Sequence, residues 1–383
     1  MALKPRILVL GHADPATGYG RVLSSICRRL AQKYTILQIN ISSNKAVHDP
    51  LNYTIEPAQG VLNEPASQQL VARIEQFQPQ LLFLCHDPWL YQFHRQALAA
   101  YRDRLKIIFY CPVEGPYRSP AQIAYLAEVD VLVLYTSYGR RLIEDAFEQA
   151  ALPPTSWPRI AVLPHGIDTQ HFFPLHPFTA AGEEERQRNL LRARQILFPH
   201  RPELHSAFML LNANYYRQRK RIDLTVQAFA DFIHATPGNI WLYLHVGEQE
   251  QKLLELAARL GIRDRVLSTG TAVAERPITD SLLNTIYNAC DIGINTATSE
   301  GWGLVAFEHA ATGAAQIVPA HSACQELWHD HGLLIPLQTR QPPDFQPAEL
   351  QVGEIHPAEL TSLLSLLYQN HAMRQHYSQQ AHT

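Results

Sequence analysis

The feature that most constrains this chain is an alternation, seen twice along its length, of short apolar runs with stretches of helical periodicity. The first run is Ile7 to Leu10. After it Val22, Ile26 and Leu30, with Leu23 and Cys27 beside them, recur at helical spacing while Arg21, Arg28 and Arg29 fall elsewhere, as in a helix with one apolar stripe. Thr35 to Ile39, Leu81 to Cys85, Ile107 to Cys111, Val131 to Tyr135 and Arg159 to Leu163 continue the series as strands, with a helical stripe from Leu70 to Phe77 among them. Strands apolar on both faces and separated by helices predict a parallel sheet, because crossover helices cover both of its faces.

A second series follows. Phe208 to Asn212, Ile240 to Val246, Val266 to Thr269 and Ile292 to Asn295 read as strands. Helices are predicted from Asp223 to His234, through Leu253, Leu256 and Leu260, and through Leu282, Leu283 and Ile286. Between the two series, Phe173 to Ser206 is Pro-flanked and charged, with Glu183 to Arg186, Arg188, Arg192 and Arg194 closing on Ile196 to Phe198, and reads as a solvated connecting helix. The tail from Pro357 sets Leu360, Leu363, Leu364 and Leu367 at helical spacing, so it must pack on something.

A chain of 383 residues is too long for one ordinary core. The expected parts are 1–175, 176–356 and a terminal helix over 357–383. Two Rossmann-like units favour a ligand at the carboxyl ends of their strands. A formal charge of −3 offers no basic excess for nucleic acid or an anionic membrane, so small polar ligands are the expected partners. Cys27, Cys85, Cys111, Cys290 and Cys324 are widely spaced with no CxxC pair, which excludes a legible disulfide framework or zinc knuckle and suits a reducing, cytoplasmic setting. Ile7 to Leu10 is too short for a membrane span. Peripheral membrane contact and oligomeric state stay open. His86-Asp87 with His94 matches no standard ligand spacing and reads as a polar loop.

The strongest chemical signal is Ser299-Glu300-Gly301-Trp302-Gly303-Leu304-Val305-Ala306-Phe307-Glu308, directly after the strand Ile292 to Asn295. Gly301 and Gly303 let backbone approach a ligand, and a helix opening near Leu304 offers unpaired N–H groups to a phosphate. Glu300 lies before that helix and Glu308 inside it, so both carboxylates can face one cleft, one towards a sugar hydroxyl and the other towards a ribose. A plain glycine loop followed by an exposed Glu would not account for Trp302 between two glycines.

This stretch resembles the retaining glycosyltransferases of family 4, the glycosyl transferases group 1, whose hallmark is Glu, seven residues, then Glu. The resemblance continues through Glu308-His309-Ala310-Ala311-Thr312-Gly313, Ile317-Val318-Pro319 and His321 to Trp328, and includes Leu163-Pro164-His165-Gly166-Ile167-Asp168 with Phe172 and Pro174. It implies a GT-B fold: two Rossmann-like α/β domains facing a central cleft, the first for acceptor, the second for nucleotide-sugar donor, with the C-terminal helix returning to the N-terminal domain. It places Glu300 by the transferred sugar and diphosphate, and Glu308 on the ribose. Thr17-Gly18-Tyr19-Gly20-Arg21 resembles the family's glycine-rich loop near the donor phosphates, although Gly18 and Gly20 before a helix also suit a bare turn.

The family's cationic pair after the first strand of the donor domain stabilises charge on the leaving phosphate. Lys220 fits its Lys. Tyr215 or Asn214 stands where its Arg is usual, so Arg217 or Arg219 must substitute. Arg221 reads as a charged start to a helix. After Ile107 to Cys111, where relatives carry a functional His or Asp, this chain reads Pro112-Val113-Glu114-Gly115, making Glu114 the acceptor-side candidate, with a Pro-braced turn and a solvated Glu as its rival. His165 reads as structural.

The implied reaction is transfer of a glycosyl unit from a nucleotide-activated sugar to a hydroxyl acceptor with retention, in carbohydrate biosynthesis. The resemblance implies no cofactor and no metal: no Asp-X-Asp motif stands near the donor residues, and relatives of this fold usually manage without a divalent ion, with helix N-termini and Lys220 in its place. Closure of the two domains about Phe173 to Ser206 would exclude water. A sugar-nucleotide epimerase or hydrolase, and a non-catalytic nucleotide-sugar-binding regulator, are the alternatives.

Overall fold

The computed structural model describes residues 4–15, 17–41, 52–59, 64–117, 119–176, 183–247, 249–273, 278–338 and 353–382. Residues 177–182 of the expected connection and 339–352 of the expected second domain lie outside that set. Among the described residues no helix is long and apolar enough to cross a membrane. The chain divides into two units, Met1–His165 and Gly166–Thr383, ten residues before the boundary expected from sequence.

The first unit runs β1 (Arg6–Gly11), α1 (Gly18–Leu30), β2 (Thr35–Asn40), β3 (Thr54–Pro57), α2 (Glu64–Phe77), β4 (Leu81–Cys85), α3 (Arg95–Ala99), β5 (Lys106–Cys111), β6 (Val131–Leu134), α4 (Ser137–Gln149) and β7 (Arg159–Val162). Among the described residues its seven-stranded sheet is parallel throughout, in the order β3-β2-β1-β4-β5-β6-β7, which reverses direction between β1 and β4. Leu8, Leu82, Ile107 and Leu132 form one core with Leu70 and Ile74 of α2 and Ile143 and Phe147 of α4. The sheet therefore has the doubly wound topology that the apolar runs predict. Thr17 caps α1 by accepting from the Gly20 N–H at 3.1 Å. A Cβ at Gly20 would stand 1.8 Å from the Asp14 carbonyl oxygen, so this turn admits only glycine.

The second unit runs α5 (Glu183–Leu197), β8 (Phe208–Asn212), α6 (Ile222–Ala235), β9 (Ile240–Leu244), α7 (Glu250–Arg259), β10 (Val266–Ser268), α8 (Thr269–Ala272), α9 (Asp280–Ala289), β11 (Ile292–Ile294), α10 (Leu304–Ala310), β12 (Ala315–Pro319), α11 (Ser322–Trp328), β13 (Leu333–Ile335), β14 (Leu337–Gln338), β15 (Glu354–Ile355), α12 (Pro357–Gln369) and α13 (His371–His382). Its main sheet, β10-β9-β8-β11-β12-β13, is parallel and reverses between β8 and β11.

Two expectations need correction. The C-terminal helix was expected to return to the N-terminal domain, but Leu360, Leu364 and Leu367 of α12 are fully buried in one cluster with Val226, Phe229 and Phe232 of α6, inside the second unit. That apolar stripe is satisfied by its own unit. The charged connection is also not a solvated helix. Arg186 and Arg194 of α5 are buried, and Leu190, Ala193 and Leu197 are buried with them. Arg194 binds Asp291 Oδ2 at 2.6 Å and the Ala289 carbonyl at 2.9 Å, while Arg186 donates to the carbonyls of Asp291, at 2.8 Å, and Gly313. The end of α9 leaves carbonyls without helical partners, and these guanidinium groups supply donors there.

Candidate active site

In the second sheet β8 and β11 are neighbours, pairing Leu210 with Ile292 and Leu211 with Gly293. The loops that leave their carboxyl ends, 213–221 and 295–303, therefore start side by side at the strand-order reversal, where open α/β sheets bind ligands. Backbone and side chain stitch them together. The Thr298 N–H donates to the Arg219 carbonyl at 2.7 Å, and Thr296 Oγ1 donates to the carbonyls of Lys220 at 3.0 Å and Arg221 at 2.8 Å. Arg219 Nη1 donates to the Ser299 carbonyl at 2.8 Å.

Between the loops lies Glu300, only 4% exposed. Its Oε1 accepts from Lys220 Nζ and, at 3.1 Å, from Asn295 Nδ2, and Arg219 Nη1 stands 3.6 Å from its Oε2. Burial pushes the carboxyl up, but the Lys220 and Arg219 charges and the hydrogen bonds from Lys220 and Asn295 outweigh it and hold the pKa at about 2. Glu300 is thus a carboxylate throughout the physiological range.

A second layer orients it. The Glu300 N–H donates to Ser322 Oγ at 3.1 Å, Ser322 lies 2.8 Å from His321 Nδ1, and His321 Nε2 lies 2.8 Å from the Ala297 carbonyl. Because a carbonyl only accepts, His321 carries its proton on Nε2, so Ser322 donates to Nδ1. Burial lowers the His321 pKa and favours this neutral form. In sequence, His321 and Ser322 stand within the stretch of resemblance with no local mark of this role.

The other candidates fall into distinct places. Lys220 and Arg219 meet Glu300, whereas Arg217 is exposed and lies over the Tyr215 ring at 4.6 Å. Arg219 is therefore the arginine that joins Lys220 at Glu300. Gly301 is buried, and Gly303 caps α10 at φ 88°, a left-handed conformation that glycine adopts freely. Leu304 opens α10, which spans seven residues. Glu308, on that helix, is buried and accepts from the Tyr287 hydroxyl at 2.8 Å. Trp302 packs flat on Phe307 at 5.0 Å, and Phe307 packs on Trp328 at 4.9 Å, so its indole stabilises the loop that carries Glu300.

Gly18, Gly20 and Glu114 belong to the first unit. Gly18 is exposed, Gly20 is buried, and Glu114 is half-buried just beyond β5. At the carboxyl ends of β1 and β4, the Tyr19 hydroxyl donates to Asp87 Oδ1 at 2.6 Å and the His12 ring stacks on Tyr19 at 5.2 Å. Sequence reasoning missed this contact, because Tyr19 and Asp87 are 68 residues apart. His86 and His94 have separate partners, the Asp87 carbonyl at 2.9 Å and Ser67 Oγ at 3.2 Å, in keeping with a polar loop. His165 Nδ1 lies 2.8 Å from the Tyr110 hydroxyl, and burial lowers its pKa to about 4.

Residues 208–348, the span holding both stitched loops, match the glycosyl transferases group 1. That match covers the larger part of the second unit and leaves the first unit outside it. A D-inositol 3-phosphate glycosyltransferase of Nocardia farcinica (strain IFM 10152) is 30% identical over 195 residues, 49% of this chain and 37% of that relative's length. The match therefore spans little more than a third of the curated relative. Among solved structures, Thermosynechococcus elongatus sucrose-phosphate synthase superposes with a TM-score of 0.71 at 16% identity, covering 99% of this chain and 93% of that one. The Anabaena protein HepE in complex with UDP and glucose superposes with a TM-score of 0.66 at 15% identity, covering 99% and 94%. At these identities the likeness is one of fold, and it makes this chain an α/β protein of the two-domain GT-B type.

Proposed function

We propose that the chain is a retaining glycosyltransferase that moves a sugar from a nucleotide-diphosphate sugar to a hydroxyl acceptor. The donor would bind the second unit and the acceptor the first. The observation that carries this reading is the buried, ionised Glu300 flanked by Lys220 and Arg219, eight positions before Glu308. Solved HepE complexes with UDP and with UDP-glucose make a uridine nucleotide the first donor to try.

Negative charge grows on the diphosphate as the bond from the sugar's anomeric carbon to phosphate oxygen breaks. Lys220 and Arg219 supply fixed positive charge for it. The new bond forms from the acceptor oxygen on the same face, and the acceptor proton passes to the departing phosphate oxygen, so no enzyme nucleophile is needed. Glu300 then orients the sugar hydroxyls, and Glu308 accepts from the ribose. Gly301, Gly303 and Leu304 present backbone to the donor, Gly18 and Gly20 approach its phosphates, and Glu114 accepts from the acceptor. Cations from side chains make a divalent metal unnecessary. The five cysteines, all free and buried, support a reducing cytoplasmic setting.

The test offers UDP-, GDP- and ADP-sugars with a broad hydroxyl acceptor set, with and without a chelator, and reads nucleotide release, acceptor mass shift and product anomer. Acceptor-dependent transfer with retention, unaffected by chelator and abolished by Glu300→Ala, is expected. An unchanged rate in Glu300→Ala would refute the site, and donor binding without turnover would make the protein a nucleotide-sugar-binding regulator.

A further inference from the structure

Arg221 sits at φ 43°, ψ 45°, the left-handed conformation, at the junction between the turn Gln218–Lys220 and α6. For a residue with a Cβ that conformation is uncommon and costs free energy; Gln78 and Ala151 also adopt it, both exposed at helix ends, whereas Arg221 is held by its side chain. Glycine would adopt it freely, yet the chain places here its largest cation. Two carboxylates grip the guanidinium. Nε and Nη2 donate to Asp223 at 3.1 and 2.9 Å in a fork, and Nη1 pairs with Glu354 on β15. The Arg221 and Glu354 side chains are only 15% and 11% exposed, so this is not the solvated ion pair of an ordinary helix start.

The backbone of the same residue faces the candidate active site. Thr296 donates to the carbonyls of both Lys220 and Arg221, and the Lys220 and Arg221 N–H groups close the turn onto Arg217 and Gln218. Rotation of Arg221 out of the left-handed region would swing Lys220 away from Glu300. Glu354 lies three residues before the start of α12, whose apolar stripe is buried against α6, so the far end of the grip is itself anchored.

We propose that Arg221 is a positioning residue: clamped between Asp223 and Glu354, it holds a strained backbone that fixes Lys220 against Glu300. The catalytic meaning of this clamp rests on the transferase reading, whereas the clamp itself does not. A residue that is merely strained predicts that Arg221→Gly relieves the strain and leaves Lys220 in place. A clamp predicts the opposite, because glycine frees the turn to sample other conformations.

The experiment is amine acylation of the 383-residue chain without ligand, read residue by residue by mass spectrometry, with exposed Lys252 as internal reference. In Arg221→Gly and in Glu354→Gln, labelling of Lys220 should rise about tenfold relative to Lys252, a size set by the restraint a strained backbone position represents. Glu354→Gln keeps the backbone chemistry intact and carries the test should Arg221→Gly fail to fold. A Lys220 rate unchanged in the folded variants would overturn the proposal. Where transfer is detected, kcat should fall with donor KM little moved, and neither substitution should cost further activity in a Lys220→Ala background; a full additional loss there would also overturn it. Wild-type protein inert towards every donor would defeat the transferase reading while the labelling result stands by itself.

Discussion

Glu300→Gln removes one negative charge from a site that holds Lys220 and Arg219 around it, and leaves those two cations facing a neutral amide. A carboxyl that titrates near 4.5 in the unfolded chain and at about 2 in the folded one contributes on the order of 3 kcal/mol at neutral pH. Loss of one partner of a buried pair falls in the same range. For a unit of this size that corresponds to a fall in Tm of about 6–12 °C. Because the folded pKa is depressed, the contribution is complete above pH 4.5 and disappears as pH falls towards 2. Wild type and Glu300→Gln should therefore differ by a constant amount between pH 6 and pH 8, and the gap should narrow steadily below about pH 4.5. Urea unfolding at a series of pH values measures it. Equal stabilities at pH 7, or a gap at pH 2.5 as large as the one at pH 7, would refute the electrostatic account of this site.

Arg219→Ala should weaken nucleotide-diphosphate binding and lower turnover by about 10- to 100-fold, whereas Arg217→Ala should change either by less than about twofold. Titration calorimetry with UDP and steady-state rates compare them, and equal losses would remove the distinction drawn from their surroundings. Leu364→Ala should destabilise the second unit by about 2–5 kcal/mol, because its side chain is fully buried in the cluster shared by α6 and α12. A change below about 1 kcal/mol in urea unfolding would show that α12 does not close that core.

The alternating apolar runs made both parallel sheets legible, because a strand buried on both faces must be apolar on both faces and shows that along its own length. The runs at 7–10, 81–85 and 107–111 all became central strands. The Glu300 to Glu308 spacing and the lysine at 220 were equally legible, being local and specific in type. Other features carried no local mark. Ala315–Pro319 became a fully buried central strand, although its run is short and ends in proline. The leucine stripe of α12 announced that the helix must pack, but not on what. Its partner was α6, because that helix offered the complementary apolar face within the same unit.

What the sequence by itself determined, then, is the layered α/β architecture and the chemical types at the site, since these follow from periodicity and motif. Only the tertiary structure decided which arginine joins Lys220, that His321 and Ser322 orient Glu300, and that Trp302 packs on Phe307. The physical reason is adjacency of strands. Lys220 and Glu300 are 80 residues apart and meet because β8 and β11 lie side by side where the strand order turns. No pattern within either loop encodes the distance between them.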